Sequence, residues 1–272
     1  MTLHFVHIGK TGGTAIKRGL QQAGYAFWRP EKARRAPETP YGRIRLHNHD
    51  FRLADVPPGD HVFFCVRDPV ALFVSGFYSR LNQGRPRYHH EWTIAERTAF
   101  AAFPTPQGLA SALAGGDDAE RDLARWAMRR IVHLGSLRRI LGSVEQVRAR
   151  RRQIVYIGRQ ETLADDWAQL KLLLGLPDHA ALPSEPVRAH RRDAALDATL
   201  DDDATRALRE WYWREYRLVE YCEALRTWNG WGIDPARHSG VDRLRNELRR
   251  LDAMLAVLPP RVYAARQRVR LP

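Results

Sequence analysis

The sequence predicts an α/β protein in which a central parallel sheet is flanked by helices and followed by a helical C-terminal extension. Three observations predict it. The apolar runs LHFVHI (Leu3 to Ile8), HVFFCV (His61 to Val66) and IVYIGR (Ile154 to Arg159) are each followed by a turn and a helical apolar stripe. Unbroken apolar runs suit strands covered on both faces. Strands alternating with helices imply crossover connections, which make a sheet mainly parallel. The 272 residues, 44% of them hydrophobic, suffice for one large domain with a sizeable core.

The elements follow in order. After LHFVHI come glycines and then GTAIKRGLQQAG, with a helical stripe at Ala15, Ile16, Gly19, Leu20 and Ala23. A Pro- and Arg-rich connection (Arg29 to Pro40) leads to a short strand at Arg43 to Leu46. HVFFCV ends in Arg67-Asp68-Pro69, and proline at the first helical position opens a helix faced by Val70, Phe73, Val74, Phe77, Tyr78 and Leu81. Residues 84–116 read as irregular, with short helices at most, and helical patterns resume over 117–150. After IVYIGR, TLADDWAQLKLLLG is a helix with a Thr cap and a Gly stop. A polar loop, Pro183 to Asp193, precedes one long helix near 203–226. Val241, Leu244, Leu248, Leu251, Leu255 and Leu258 then form a short heptad seam, either packed on its own domain or serving as a homodimer interface. The expected division is a domain over 1–230 and an amphipathic helix with a basic tail over 231–272.

Net charge is +13, with only four lysines among 44 basic residues. Such a surplus suits an anionic partner, whether nucleotide, nucleic acid, acidic glycan or membrane surface, but a GC-rich genome also favours arginine. The arginines are spread from Arg18 to Arg270, so charge alone selects no partner. No stretch reaches the roughly 18 apolar residues of a membrane span. The N-terminus lacks the order of a signal peptide, so the expected compartment is a bacterial cytoplasm. Cys65 and Cys222 read as buried free thiols, and His89-His90 lacks the carboxylate a metal site would want. No metal is expected.

The segment GKTGGT (Gly9 to Thr14) raises the functional question. A glycine-bearing turn from strand into helix aims backbone N–H groups and a helix dipole at an anion, and Lys10 adds a charge. An ATP-binding Walker loop would place its first glycine where this chain has His4, and its lysine would follow the glycines rather than precede Gly12-Gly13. HVFFCV also ends in Arg67 rather than in an acidic magnesium ligand. A small-molecule kinase is therefore the disfavoured alternative.

FVHIGKTGGTAI resembles the 5′-phosphosulfate loop of the sulfotransferase superfamily, whose carbohydrate-type members carry His-Ile-Pro-Lys-Thr-Gly-Gly-Thr. VRDPVALFVSGFY resembles its second signature, an arginine at a strand end followed eight residues later by a helical serine, here Arg67 and Ser75. IVYIGRQETLADDWAQL and EWYWREYRLVEY resemble two further blocks, so the likeness spans roughly residues 3 to 226. The chain departs from the family in having Gly9 where proline is usual, which loosens the turn without removing a ligand group.

The resemblance implies a sulfotransferase that uses 3′-phosphoadenylyl sulfate (PAPS) and leaves adenosine 3′,5′-bisphosphate (PAP). It implies that Lys10, Thr11, Gly12, Gly13 and Thr14 hold the 5′-phosphosulfate and that Arg67 and Ser75 hold the 3′-phosphate. It also implies that Arg191 and Arg192, in the loop before the last domain helix, fold over the nucleotide. Lys10 would stabilise charge on the leaving oxygen. A histidine between the two donor motifs serves as base in the heparan 2-O-sulfotransferase branch, and by that likeness His49 is the base and His47 its companion. Alternate residues of an extended segment point the same way, so both histidines can line one cleft. The expected partner is a hydroxyl-bearing glycan or glycolipid, with peripheral membrane contact an option and no nucleic acid. The other alternative is a non-catalytic scaffold of the same fold that binds anionic polymers.

Overall fold

The computed structural model describes residues 1–25, 38–86, 88–115, 117–183 and 200–231. Its sheet is built from β1 (Thr2–Phe5), β2 (Arg43–Leu46), β3 (His61–Val66) and β4 (Ile154–Arg159), all parallel, in the order β2-β1-β3-β4. β1, β3 and β4 are buried almost residue by residue, as strands covered on both faces must be. β2 alternates exposed and buried positions and presents Arg43 and Arg45 outward, a charged edge that discourages pairing with another sheet. The first strand is shorter than its apolar run: Val6 N–H still donates to Phe63 (3.1 Å), but the chain then leaves the ladder to enter the glycine turn.

The chain divides into two compact units. The first holds the sheet, with α1 (Gly13–Gln22) and α8 (Leu163–Leu174) packed on it through Leu3, Phe5, Ile16, Leu20, Phe63, Trp167 and Leu170. It also contains α7 (Val144–Ala149) and most of α6 (Ser136–Leu141). α8 ends at Gly175 in the left-handed conformation, the predicted stop, while Thr162 stands at the N-cap position but donates its hydroxyl to Asp166 instead of capping a backbone N–H. The second unit is helical: α2 (Pro69–Leu81), α3 (Ile94–Ala102), α4 (Pro106–Ala114), α5 (Asp118–Arg130) and α9 (Asp202–Trp211) share a core of Phe73, Phe77, Phe100, Leu109, Met128 and Leu208. α10 (Trp213–Asn229) starts in the second unit and continues into the first.

Two expectations need refinement. The segment 84–116 contains two nine-residue helices, each with a readable start: Thr93 and Glu96 form a capping box, and Thr105 caps a helix opened by Pro106. The single helix expected near 203–226 is two, interrupted at Tyr212. That side chain is buried and its hydroxyl donates to the Leu134 carbonyl. Cys65 and Cys222 are buried free thiols. Among the described residues no helix is long and apolar enough to cross a membrane. The 241–258 seam, the basic tail, Arg191 and Arg192 lie outside the described residues, as does most of the 29–41 connection.

Candidate active site

The chain leaves β1 through α1 to β2 on one side and returns to place β3 on the other. Strand order therefore reverses between β1 and β3, and the crevice beyond their C-terminal ends is where open α/β sheets bind ligands. GKTGGT and Arg67 are the residues that occupy those two ends.

The loop is shaped for an anion. Lys10 (φ 66°) and Gly12 (φ 84°) are both left-handed, a conformation that is costly for lysine and is found at sites where structure overrides preference. Gly12 is the N-cap of α1 and supplies no capping side chain, and the first turn has no acid. Ala15 and Ile16 N–H donate to the Gly12 carbonyl, whereas the amides from Thr11 to Thr14 have no acceptor among the described residues. Such open donors at a helix start are the elements of an anion site. Gly13 is required by close approach: a Cβ there would lie 2.1 Å from Cδ2 of His7.

Two cations border these amides. Arg67 Nη1 donates to the Lys10 carbonyl at 3.0 Å, joining the end of β3 to the loop. Burial, and then repulsion by Arg67, lowers the Lys10 pKa to about 8. Burial and the neighbouring Arg67 make the charged form of Lys10 costly, and a phosphate or sulfate beside it would offset that cost. Thr11 is buried and its hydroxyl donates to the Ile8 carbonyl (3.0 Å), so its side chain braces the loop while its amide remains available. Thr14 is half-buried at the helix start.

The two predicted histidines lie beyond β2, in the same unit. The His49 ring is 4.0 Å from the ring of His7, the residue that abuts Gly13, so His49 reaches the loop's surroundings through one intervening ring. The residue is exposed overall, but the packed ring loses hydration. That desolvation, with Lys17 next, holds its pKa below the ordinary histidine value, so it is neutral and able to accept a proton at pH 7. Arg139 Nη2 donates to its carbonyl at 3.3 Å. His47 is half-buried under Phe51, with ring centroids 3.5 Å apart, and its Nε2 lies 2.9 Å from Nδ1 of His4. Burial, followed by repulsion from His4, Arg45 and Lys17, lowers the His47 pKa to about 4.

A model of the sulfotransferase family matches residues 2–222. The chain belongs to the sulfotransferase family. No curated protein and no solved structure matches it significantly. Membership makes this sulfotransferase a transferase of sulfuryl groups, and the parallel sheet with its flanking helices accords with the family's fold.

The family generally uses PAPS, and the residues present suit such a donor: open amides, a lysine and an arginine meet at the switch point. Ser75 stands half-buried on α2, eight residues after Arg67. Asp68 caps α2 through Ala71 N–H and accepts from the Tyr216 hydroxyl (2.9 Å), so the residue beside Arg67 serves the helical unit. Arg159, at the end of β4, pairs with Glu161 (3.0 Å) and Glu223 (3.5 Å) and reads as structural.

Sequence reasoning missed Lys17, His4, Asp60 and Arg139. Lys17 lies one helical turn beyond the loop, with its pKa lowered by burial to about 8. His4 and Asp60 are separated by 56 residues and meet only because β1 and β3 are neighbours. No local motif marks either.

Proposed function

We propose that this sulfotransferase transfers the sulfuryl group of PAPS to a hydroxyl of a carbohydrate or glycolipid acceptor. The observation that carries the reading is the meeting of open amides at Thr11–Thr14 with Lys10 and Arg67 at the sheet's switch point. When bound, the donor supplies an activated sulfur and a phosphate leaving group.

The chain's own residues then have defined tasks. The amides of the loop and the start of α1 hold the 5′-phosphosulfate. Lys10 places its ammonium where charge grows on the leaving oxygen, and a counter-ion raises its pKa back from about 8. Arg67 offers its guanidinium to the 3′-phosphate. The assignment of Ser75 to that phosphate, and of Arg191 and Arg192 to the nucleotide, rests on sequence likeness alone. His49 takes the proton of the attacking hydroxyl and His47 is its companion. The acceptor class rests on the carbohydrate-type loop.

The test is transfer from sulfur-labelled PAPS to a panel of oligosaccharides, glycolipids and phenols. Label on a saccharide, lost in His49→Ala while PAP affinity stays near wild type, supports the reading. Label on phenols only would overturn the acceptor class. Activity that persists in His49→Ala but vanishes in His47→Ala would reverse the two histidines.

A further inference from the structure

A chain of three side chains runs behind the candidate acceptor side of the site. Asp60, just before β3, accepts the Thr2 N–H at Oδ1 (2.8 Å) and faces Nε2 of His4 with Oδ2 (3.1 Å). His4, in β1 and 3% exposed, faces Nε2 of His47 with its Nδ1 (2.9 Å). The His4 and His47 rings are parallel to within 10°, with centroids 5.1 Å apart. Phe51 lies parallel to both, within 3° and 7°, and covers the His47 face.

The direction of these bonds follows from one end. The Thr2 amide and His4 hold the Asp60 carboxyl below its ordinary pKa, so it is a carboxylate that can only accept. A His4 ring that carries a single hydrogen must therefore place it on Nε2, facing the carboxylate, and present a lone pair at Nδ1. His47 must answer with a hydrogen on Nε2, which leaves its own lone pair on Nδ1. That nitrogen makes no hydrogen bond among the described residues.

We infer that Asp60 is a positioning residue: through His4 it locks His47 in the Nε2–H tautomer, so that Nδ1 is presented as a hydrogen-bond acceptor to the hydroxyl of the sulfuryl acceptor. This rests on the reading above that His47 and His49 face that acceptor. The lock needs no charge on His47 and moves no proton along the chain. It fixes which ring nitrogen meets the substrate, at a residue two positions from the proposed base.

Asp60→Asn gives a sharp test. The Thr2 N–H still needs an acceptor, which keeps the amide oxygen at the Oδ1 position and turns the NH₂ toward His4 Nε2. His4 must then accept there and donate from Nδ1, and His47 is forced to carry its hydrogen on Nδ1. Nitrogen-15 correlation spectra of histidine-labelled full-length protein at pH 8 read both tautomers directly. Wild type should show His47 protonated on Nε2, and Asp60→Asn should show it on Nδ1. In the variant kcat should fall roughly tenfold or more, by analogy with other tautomer-setting carboxylates, with KM and melting temperature little changed. His4→Phe, which keeps the stacking and removes the lock, should show both tautomers of His47.

An Nδ1–H signal for His47 in wild type overturns the proposal, as does a tautomer exchange in Asp60→Asn with kcat unchanged. If no acceptor is ever sulfated, the functional reading fails, while the spectra still decide whether the chain is directed by Asp60.

Discussion

Lys10 carries two costs that a substitution separates. Its pKa is lowered from 10.5 to about 8, so the folded protein holds this proton less firmly than the unfolded chain does. The resulting loss of stability is fully present below pH 8 and disappears as pH rises through 10.5. At roughly 1.4 kcal/mol per unit, and discounted for partial exposure, it amounts to about 1–2 kcal/mol. Lys10→Met should therefore melt higher than wild type at pH 7, and the gain should vanish above pH 10.5. The same variant should lose roughly 10²–10³-fold in turnover, more than it loses in nucleotide affinity, because the charge counts most as the leaving oxygen becomes anionic. Equal losses in both would contradict that role. In wild type, PAP should bind with proton uptake near pH 8 and weaken as pH rises above it; calorimetry in buffers of different ionisation enthalpy measures that proton.

The strand–loop–helix unit depends on glycine for space as well as for conformation. In Gly13→Ala the new methyl would meet the His7 ring, which must shift and carry with it the neighbouring His49. Loss of at least tenfold in PAP affinity, together with a lower melting temperature, is expected; wild-type binding would mean that the loop is not held by this contact. α8 and α10 are joined differently, by a buried ion pair. Asp166 accepts from Arg226 (2.8 Å), from the Tyr156 hydroxyl (2.6 Å) and from Thr162 (2.7 Å), and lies 2% exposed. Asp166→Ala leaves the buried Arg226 with Glu223 (3.3 Å) as its remaining carboxylate partner and should cost about 2–4 kcal/mol in denaturant unfolding. PAP affinity should stay near wild type at temperatures where the variant is folded, since neither residue belongs to the donor loop.

Across the whole molecule, what was legible in the sequence is what local order dictates. Three apolar runs and the short segment Arg43 to Leu46 marked the four strands, GKTGGT marked the anion loop, and Thr162 with Gly175 marked both ends of α8. The helices of 84–116 were legible too, in Thr93–Glu96 and Thr105–Pro106, but prolines and aromatics concealed them. The break at Tyr212 was not, because it depends on a carbonyl 78 residues away. Nor were the pairs His4–Asp60 and His7–His49, which arise from strand order and from packing beyond the strands. Charge was the least informative property: +13 favours anions in general, whereas the geometry at Lys10 and Arg67 favours one small anion in one place.

The measurement that tests the central claim most directly is calorimetric titration of the purified protein with PAP, alongside ATP with magnesium and with Arg67→Ala as control. The account predicts micromolar binding of PAP that is lost in Arg67→Ala, and much weaker binding of ATP. Binding of ATP but not of PAP would return the loop to a kinase, and binding of neither would leave a scaffold of this fold without its donor.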